Sequence, residues 1–190
     1  MEWSVLFLGP VGSGKTQAIR SVSDIDVVDT EALATDETAA VKQTTTVAMD
    51  VGVMMLGEGD KVVLYGAPGQ DRFDFMWEIL LQQVKGVVLL VNHTSPYSVT
   101  DLAHYLDRLE EIDPVRARPL VVGVTHCDQT RNGSINMYRN YLQQRGGVYG
   151  RQSLPVCTAD ARNASDVKTL LLALTSMLEI QERFPQRSPA

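Results

Sequence analysis

Cysteine, histidine and positive charge are all scarce in this 190-residue chain. Cys127 and Cys157 are the only thiols and lack metal-ligand spacing, so neither a zinc motif nor a disulfide framework is expected and both are read as reduced. His93, His104 and His126 are scattered along the chain, which predicts no histidine metal cluster. Lysine and arginine number 17 against 23 aspartates and glutamates, a formal charge of −6. That balance argues against nonspecific nucleic-acid binding and against a basic membrane patch. No apolar run approaches the roughly 20 residues of a membrane-spanning helix. The first apolar run, residues 3–8, is too short for a signal-peptide core and follows Glu2, which also excludes myristoylation. The terminal Arg187-Ser188-Pro189-Ala190 has no prenylation cysteine. The expectation is a cytoplasmic protein with no nucleic-acid partner and no direct membrane anchor. Repeats, low-complexity tracts and linkers are absent, and 44% hydrophobic content over this length suits one domain with a full core.

The most informative residues lie near the start. Residues 9–16 read G-P-V-G-S-G-K-T and follow the apolar run Val5-Leu6-Phe7-Leu8. A strand, a glycine-rich turn and a helix in that order make a phosphate-binding loop. Backbone N–H groups of Gly9, Val11, Gly12, Ser13, Gly14 and Gln17 are the expected cradle for phosphate oxygens, helped by the partial positive charge of the following helix N-terminus. Lys15 can reach the β- and γ-phosphates and Thr16 can ligate Mg²⁺. A chance glycine turn would not need the Lys-Thr pair after a buried-type strand.

Strand and helix signals alternate along the rest. Strands are expected over 3–8, 46–56, 61–65, 87–91, 120–124 and 155–157, with Gly57-Glu58-Gly59-Asp60 as a hairpin turn. Residues 87–91 and 120–124 are continuous apolar runs, as in strands covered on both faces. Helix 1 is expected from Lys15 to about Val22. Val99, Leu102, Ala103 and Leu106 share one helical face, with Pro96 just inside the helix start. Val167, Leu170, Leu171, Leu174 and Leu178 share another. The predicted fold is α/β: a mixed, mostly parallel sheet of about six strands with helices on both faces. Residues 1–184 form one domain, and 185–190 a flexible tail. The polar, acidic segment 29–45 is also expected to be flexible.

Three further motifs fall at strand ends, where such sheets bind ligands. Tyr65-Gly66-Ala67-Pro68-Gly69-Gln70 follows the third strand, so Gly69 can offer its N–H to a γ-phosphate and Gln70 can orient the attacking water. A Pro-Gly turn with a surface glutamine is the plainer alternative. In Thr44-Thr45-Thr46 a hydroxyl can complete the Mg²⁺ shell; Thr46 is preferred, Thr45 stays open, and a polar strand entry is the bland reading. Thr125-His126-Cys127-Asp128 ends a strand, and the Asp128 carboxylate can accept both N1–H and N2–H of guanine, which adenine cannot provide. A turn-initiating aspartate is the alternative there.

With T-T-V-A-M-D (residues 45–50), G-A-P-G-Q-D-R-F (66–73), T-H-C-D (125–128) and D-A-R (160–162) in this order and spacing, the chain resembles a Ras-superfamily small GTPase. It is most similar to the bacterial Ras-like GTPases named by analogy with the signal-recognition-particle receptor β subunit, and more distantly to Arf and the gliding-motility polarity GTPases. The resemblance implies a G domain and a GTP/GDP switch with Mg²⁺ that hydrolyses GTP slowly. Lys15 and Gln70 would be catalytic, and Thr16 and Thr46 would hold the metal. Thr125, His126, Asp128, Ala161 and Arg162 would surround the base, with Ala161 offering its N–H. A protein effector and a GTPase-activating partner, of roadblock type, are implied as well.

The departures from the family pattern are specific. Gly66 stands where an aspartate usually serves the Mg²⁺ shell. Thr125 replaces asparagine, His126 lysine and Asp160 serine, and Val11 stands where glycine is common. Residues 29–46 contain no arginine, so the first switch cannot supply an arginine finger, a device worth about 10³–10⁵-fold in related enzymes. Arg72 is the nearest arginine to Gln70. Two other readings remain open here: a nucleotide-binding scaffold without turnover, and a P-loop small-molecule kinase. The kinase would use arginines such as Arg131, Arg139, Arg145 or Arg151 in a lid.

Overall fold

The computed structural model describes residues 2–29, 49–57, 59–69, 75–114, 118–130, 134–150 and 153–184. Strand β1 (Glu2–Leu8) leads through the glycine loop into helix α1 (Lys15–Val22). A two-residue strand β2 (Val28–Asp29) comes next, then β3 (Asp50–Gly57) and β4 (Asp60–Gly66). Helix α2 (Phe75–Gln83), β5 (Gly86–Asn92), α3 (Ser98–Ile112) and β6 (Leu120–Thr125) continue the alternation. Two shorter helices, α4 (Asn136–Gln144) and α5 (Gly147–Gly150), precede β7 (Val156–Thr158) and the long α6 (Ala164–Arg183).

The strands form one sheet in the order β2-β3-β4-β1-β5-β6-β7. Strand β3 alone runs against the others, because its pairings with β2 and β4 are antiparallel and the remaining ones are parallel. The mostly parallel sheet matches the sequence expectation of about six strands, and the seventh is the two-residue edge β2, too short to leave a periodic signal. The β3–β4 hairpin closes with Gly57 opposite Asp60, and Gly57 and Gly59 both have φ of 88°.

Burial on both faces explains the continuous apolar runs of the central strands. In β1, Val5 and Phe7 face a layer built by α1 and α6, whereas Leu6 and Leu8 face α2 and α3. The five leucine and valine positions expected on the last helix are all buried in α6, and Asn163 caps it by accepting from Ser165 N–H at 2.9 Å. Helix α3 departs from its expected face. It starts at Ser98 behind Tyr97, so Pro96 lies before the helix, and its buried side is Leu102, Tyr105, Leu106 and Leu109, with Val99 and Ala103 only half-buried. On the buried side, Tyr105 stacks on buried Trp77 of α2 with ring centroids 4.7 Å apart. Among the described residues, no helix is long and apolar enough to cross a membrane.

Strands β1, β4, β5, β6 and β7 end on the same edge of the sheet. That edge carries the glycine loop, the 66–69 loop, and the loops after Thr125 and Thr158.

Candidate functional site

The loop leaves β1 through three glycines with positive φ, Gly9 at 140°, Gly12 at 77° and Gly14 at 93°. Gly14 does two things. Its left-handed conformation starts α1, and a Cβ there would lie 2.9 Å from the Ala161 Cβ, so only glycine lets the loop after β7 close on this one. With no side chain at the cap, the first N–H groups of α1 are left for an anion.

Lys15 is 9% exposed, and its Nζ donates to the carbonyls of Gly9 at 2.7 Å and Pro10 at 2.9 Å. Two of the three ammonium protons are thus used to hold the side chain along the loop, and one remains for a phosphate oxygen. Burial pulls the Lys15 pKa down to about 8, partly offset by the negative charge of Asp50. A group whose folded pKa is lowered destabilises the fold while it is charged; this penalty is full below about pH 8 and disappears as pH rises toward the ordinary value of 10.5. A bound phosphate adds negative charge and raises the pKa again. Nucleotide binding is therefore expected to take up a proton at about pH 8.5 and almost none at about pH 7. Calorimetry in buffers of different ionisation enthalpy measures this directly; equal uptake at both pH values would show that Lys15 does not titrate with binding.

The loop after β4 lies over the same corner. Ala67 N–H donates to Phe7 O at 3.0 Å, and a Cβ on Gly69 would sit 2.7 Å from both Lys15 Nζ and Val11 N. The Gly69 backbone therefore lies close against the glycine loop. The Val11 side chain is exposed at the mouth. Gln70, Thr45 and Thr46 lie outside the described residues, as do Arg72, Arg131 and Arg151.

On the other side of the loop, Thr125 is buried, and its hydroxyl lies 3.0 Å from Ser13 O and 3.2 Å from Val91 O. It pins the end of β6 to the glycine loop, so its effect on a ligand would pass through Ser13. His126 takes a left-handed conformation, φ 60°, with Nδ1 2.9 Å from Thr125 Oγ1. Asp128 is exposed and accepts from Arg162 Nη2 at 3.1 Å. The same guanidinium holds Asp160 through Nε at 2.8 Å and Nη2 at 2.7 Å. Arg162 keeps the Asp160 carboxyl down at about 2, while its own pKa is raised by the two carboxylates, Asp160 foremost. Ala161 is buried beneath this pair, against Gly14, and Gln17 is exposed on α1. The structure thus gathers the described site residues at one edge of the sheet.

One residue was not singled out by the sequence. The Thr16 hydroxyl donates to Asp50 Oδ2 at 2.5 Å. Asp50 closes the T-T-V-A-M-D motif, but only the hairpin register carries it to the glycine loop. Among the described residues, no group of three or more His, Cys, Asp or Glu side chains could hold a metal. The Thr16–Asp50 pair is nonetheless a fitting donor set for Mg²⁺, which takes one or two protein oxygens and completes its shell with phosphates and water.

The family model described as conserved hypothetical ATP binding protein matches residues 24–186. The chain belongs to this family. The match begins after the glycine loop, so residues 9–16 are separate evidence for a phosphate ligand. The chain is also similar to Ras-related protein Rab-44 of Mus musculus, 28% identical over 155 residues. That alignment covers 80% of this chain and 15% of the relative, so the chain spans only a small part of the protein it matches. Family membership and the Rab-44 likeness agree with the α/β fold and support a nucleotide-binding P-loop protein, Ras-like at the level of the superfamily.

Proposed function

We propose that this protein is a guanine-nucleotide switch that hydrolyses GTP slowly, of the bacterial Ras-like kind. The observation that carries the reading is the shared edge: Lys15 and Thr16 stand at the phosphate end, and Asp128 stands beyond Thr125, which bonds directly to the glycine loop. Lys15 would bind β- and γ-phosphate oxygens, with the N–H groups of the loop around them. Mg²⁺, held by Thr16 with Thr46, would neutralise charge between the β- and γ-phosphates. Asp128 would select the base after Arg162 yields, His126 would cover one face, and Ala161 would donate its N–H. Gly69 would read the γ-phosphate, Gln70 would place the water, and both switch loops would report the nucleotide to an effector or activating partner of roadblock type.

Two further observations bear on the alternatives. Arg145 is paired with Asp107 at 2.7 Å and Glu110 at 3.1 Å, and Arg139 donates to Val156 O at 3.2 Å. Both arginines are committed to holding α3, α4 and β7 together, which weighs against a kinase lid. The family's description favours ATP as the second reading of the base.

Turnover by the lone protein is expected to be well below roughly one per minute, because no arginine finger is available in residues 29–46. Gln70→Leu should slow it further and leave GTP affinity unchanged. Single-turnover hydrolysis of both proteins is the test. Fast turnover by the wild type would contradict partner dependence, and no turnover in either would favour the scaffold.

A further inference from the structure

Gly66 removes a carboxylate from the place where the resembled family has one, and the residue opposite it on β3 is an aspartate. The hairpin register pairs Asp50 with Gly66. Directly opposed residues on antiparallel strands project from the same face of the sheet, so their side chains share one space. Here the sharing is literal: a Cβ on Gly66 would lie 3.1 Å from both Cβ and Oδ2 of Asp50, and 2.9 Å from Ile19 Cδ1. A side chain at residue 66 and the Asp50 carboxylate cannot both fit without displacement.

The Asp50 carboxylate is also aimed. Its Oδ2 accepts a hydrogen bond from the Thr16 hydroxyl at 2.5 Å, which leaves the lone pairs of Thr16 Oγ1 for another partner. Its charge is felt at Lys15, the residue that reaches for the phosphates. The carboxylate is thus bonded to the P-loop hydroxyl and within electrostatic reach of Lys15.

We infer that Asp50 is the metal-holding carboxylate of this protein, supplied from β3 in place of the aspartate missing at Gly66. Gly66 is small because Asp50 occupies its side-chain space. The two positions have exchanged roles across one pair of strands, and the metal has its carboxylate without an acidic residue at the start of the 66–69 loop. This rests on the nucleotide-switch reading for the phosphates but not on the identity of the base.

The test uses the full chain loaded with a fluorescent nucleoside diphosphate, guanine or adenine, whichever the wild type holds. Mn²⁺ serves as the paramagnetic probe for Mg²⁺. Asp50→Asn keeps the size and can still accept from Thr16. Its nucleotide complex should bind Mn²⁺, read by its resonance spectrum, at least about tenfold more weakly than wild type, within the 10–100-fold range for such partners. Nucleotide release in excess chelator should stay within about twofold of wild type, while the slowing of release by added metal is lost. The double variant Asp50→Ala/Gly66→Asp should bind Mn²⁺ more tightly than Asp50→Ala alone. Wild-type Mn²⁺ affinity in Asp50→Asn would overturn the inference. So would release accelerated equally with and without metal, since a purely structural Thr16–Asp50 bond predicts that. A double variant no better than Asp50→Ala would overturn the exchange of positions. Retention of an adenine rather than a guanine nucleotide would sink the guanine reading and leave this test intact.

Discussion

Lys15→Ala is expected to weaken triphosphate binding by at least about tenfold while leaving the fold intact. Among the described residues, the ammonium is the only cationic side chain that the structure brings into the glycine loop, and it is already held in place by Gly9 O and Pro10 O. Hydrogen bonds to charged partners contribute about 1.5–3 kcal/mol each. The one ammonium proton that the loop does not hold makes one such bond to phosphate, about 1.5–3 kcal/mol, or roughly 10–10²-fold in affinity. The unliganded protein should lose nothing, because a buried ammonium with a pKa lowered to about 8 costs stability at neutral pH. Removing it should leave the urea midpoint unchanged or raise it. Fluorescence titration with a triphosphate, alongside urea unfolding, separates the two effects. An affinity within tenfold of wild type would contradict the phosphate-loop assignment, and a collapsed midpoint would make Lys15 structural.

The second large effect is expected at Asp128→Asn. A carboxylate accepts two N–H groups from guanine, and an amide can accept one and must present a donor to the other. The exchange should cost GTP roughly 3 kcal/mol, about 10²-fold. Xanthine, which carries a carbonyl where guanine has its amino group, should gain. The substitution also removes the Asp128–Arg162 contact, but that pair is exposed, with side chains 56% and 63% accessible, and such pairs contribute at most about 1 kcal/mol. Stability should therefore hardly move, and any loss of affinity belongs to the base. Competition of GTP and xanthosine triphosphate against a fluorescent nucleotide reads both changes; equal losses for the two bases would remove Asp128 from base recognition.

What the sequence reveals of this molecule is what depends on near neighbours. The apolar runs 87–91 and 120–124 become β5 and β6 because strands covered on both faces need no polar alternation. The α6 stripe follows from helical spacing alone. The glycine loop is legible because its chemistry is contiguous. Features set by distant partners are not. Tyr105 of α3 stacks on Trp77 of α2, a contact that periodicity does not contain. The Thr125–Ser13 bond joins residues 112 positions apart and ties the end of β6 to the glycine loop. Arg162 bridges Asp128 and Asp160 only because the loops after β6 and β7 meet. Asp50 reaches Thr16 through the β3–β4 register, which one residue of slip would have turned to the opposite face.

The central claim is that the base is guanine, and competition between GTP and ATP for the nucleotide-free wild-type protein tests it most directly. The two triphosphates carry the same phosphates and differ only at the base edge that Asp128 is proposed to read. The account predicts that GTP displaces a fluorescent nucleotide at a concentration at least about a hundredfold below that of ATP, the scale of discrimination expected when a polar site is left unpaired by the wrong ligand. Equal displacement, or displacement by ATP at the lower concentration, would contradict it and return the base to the adenine named in the family's description.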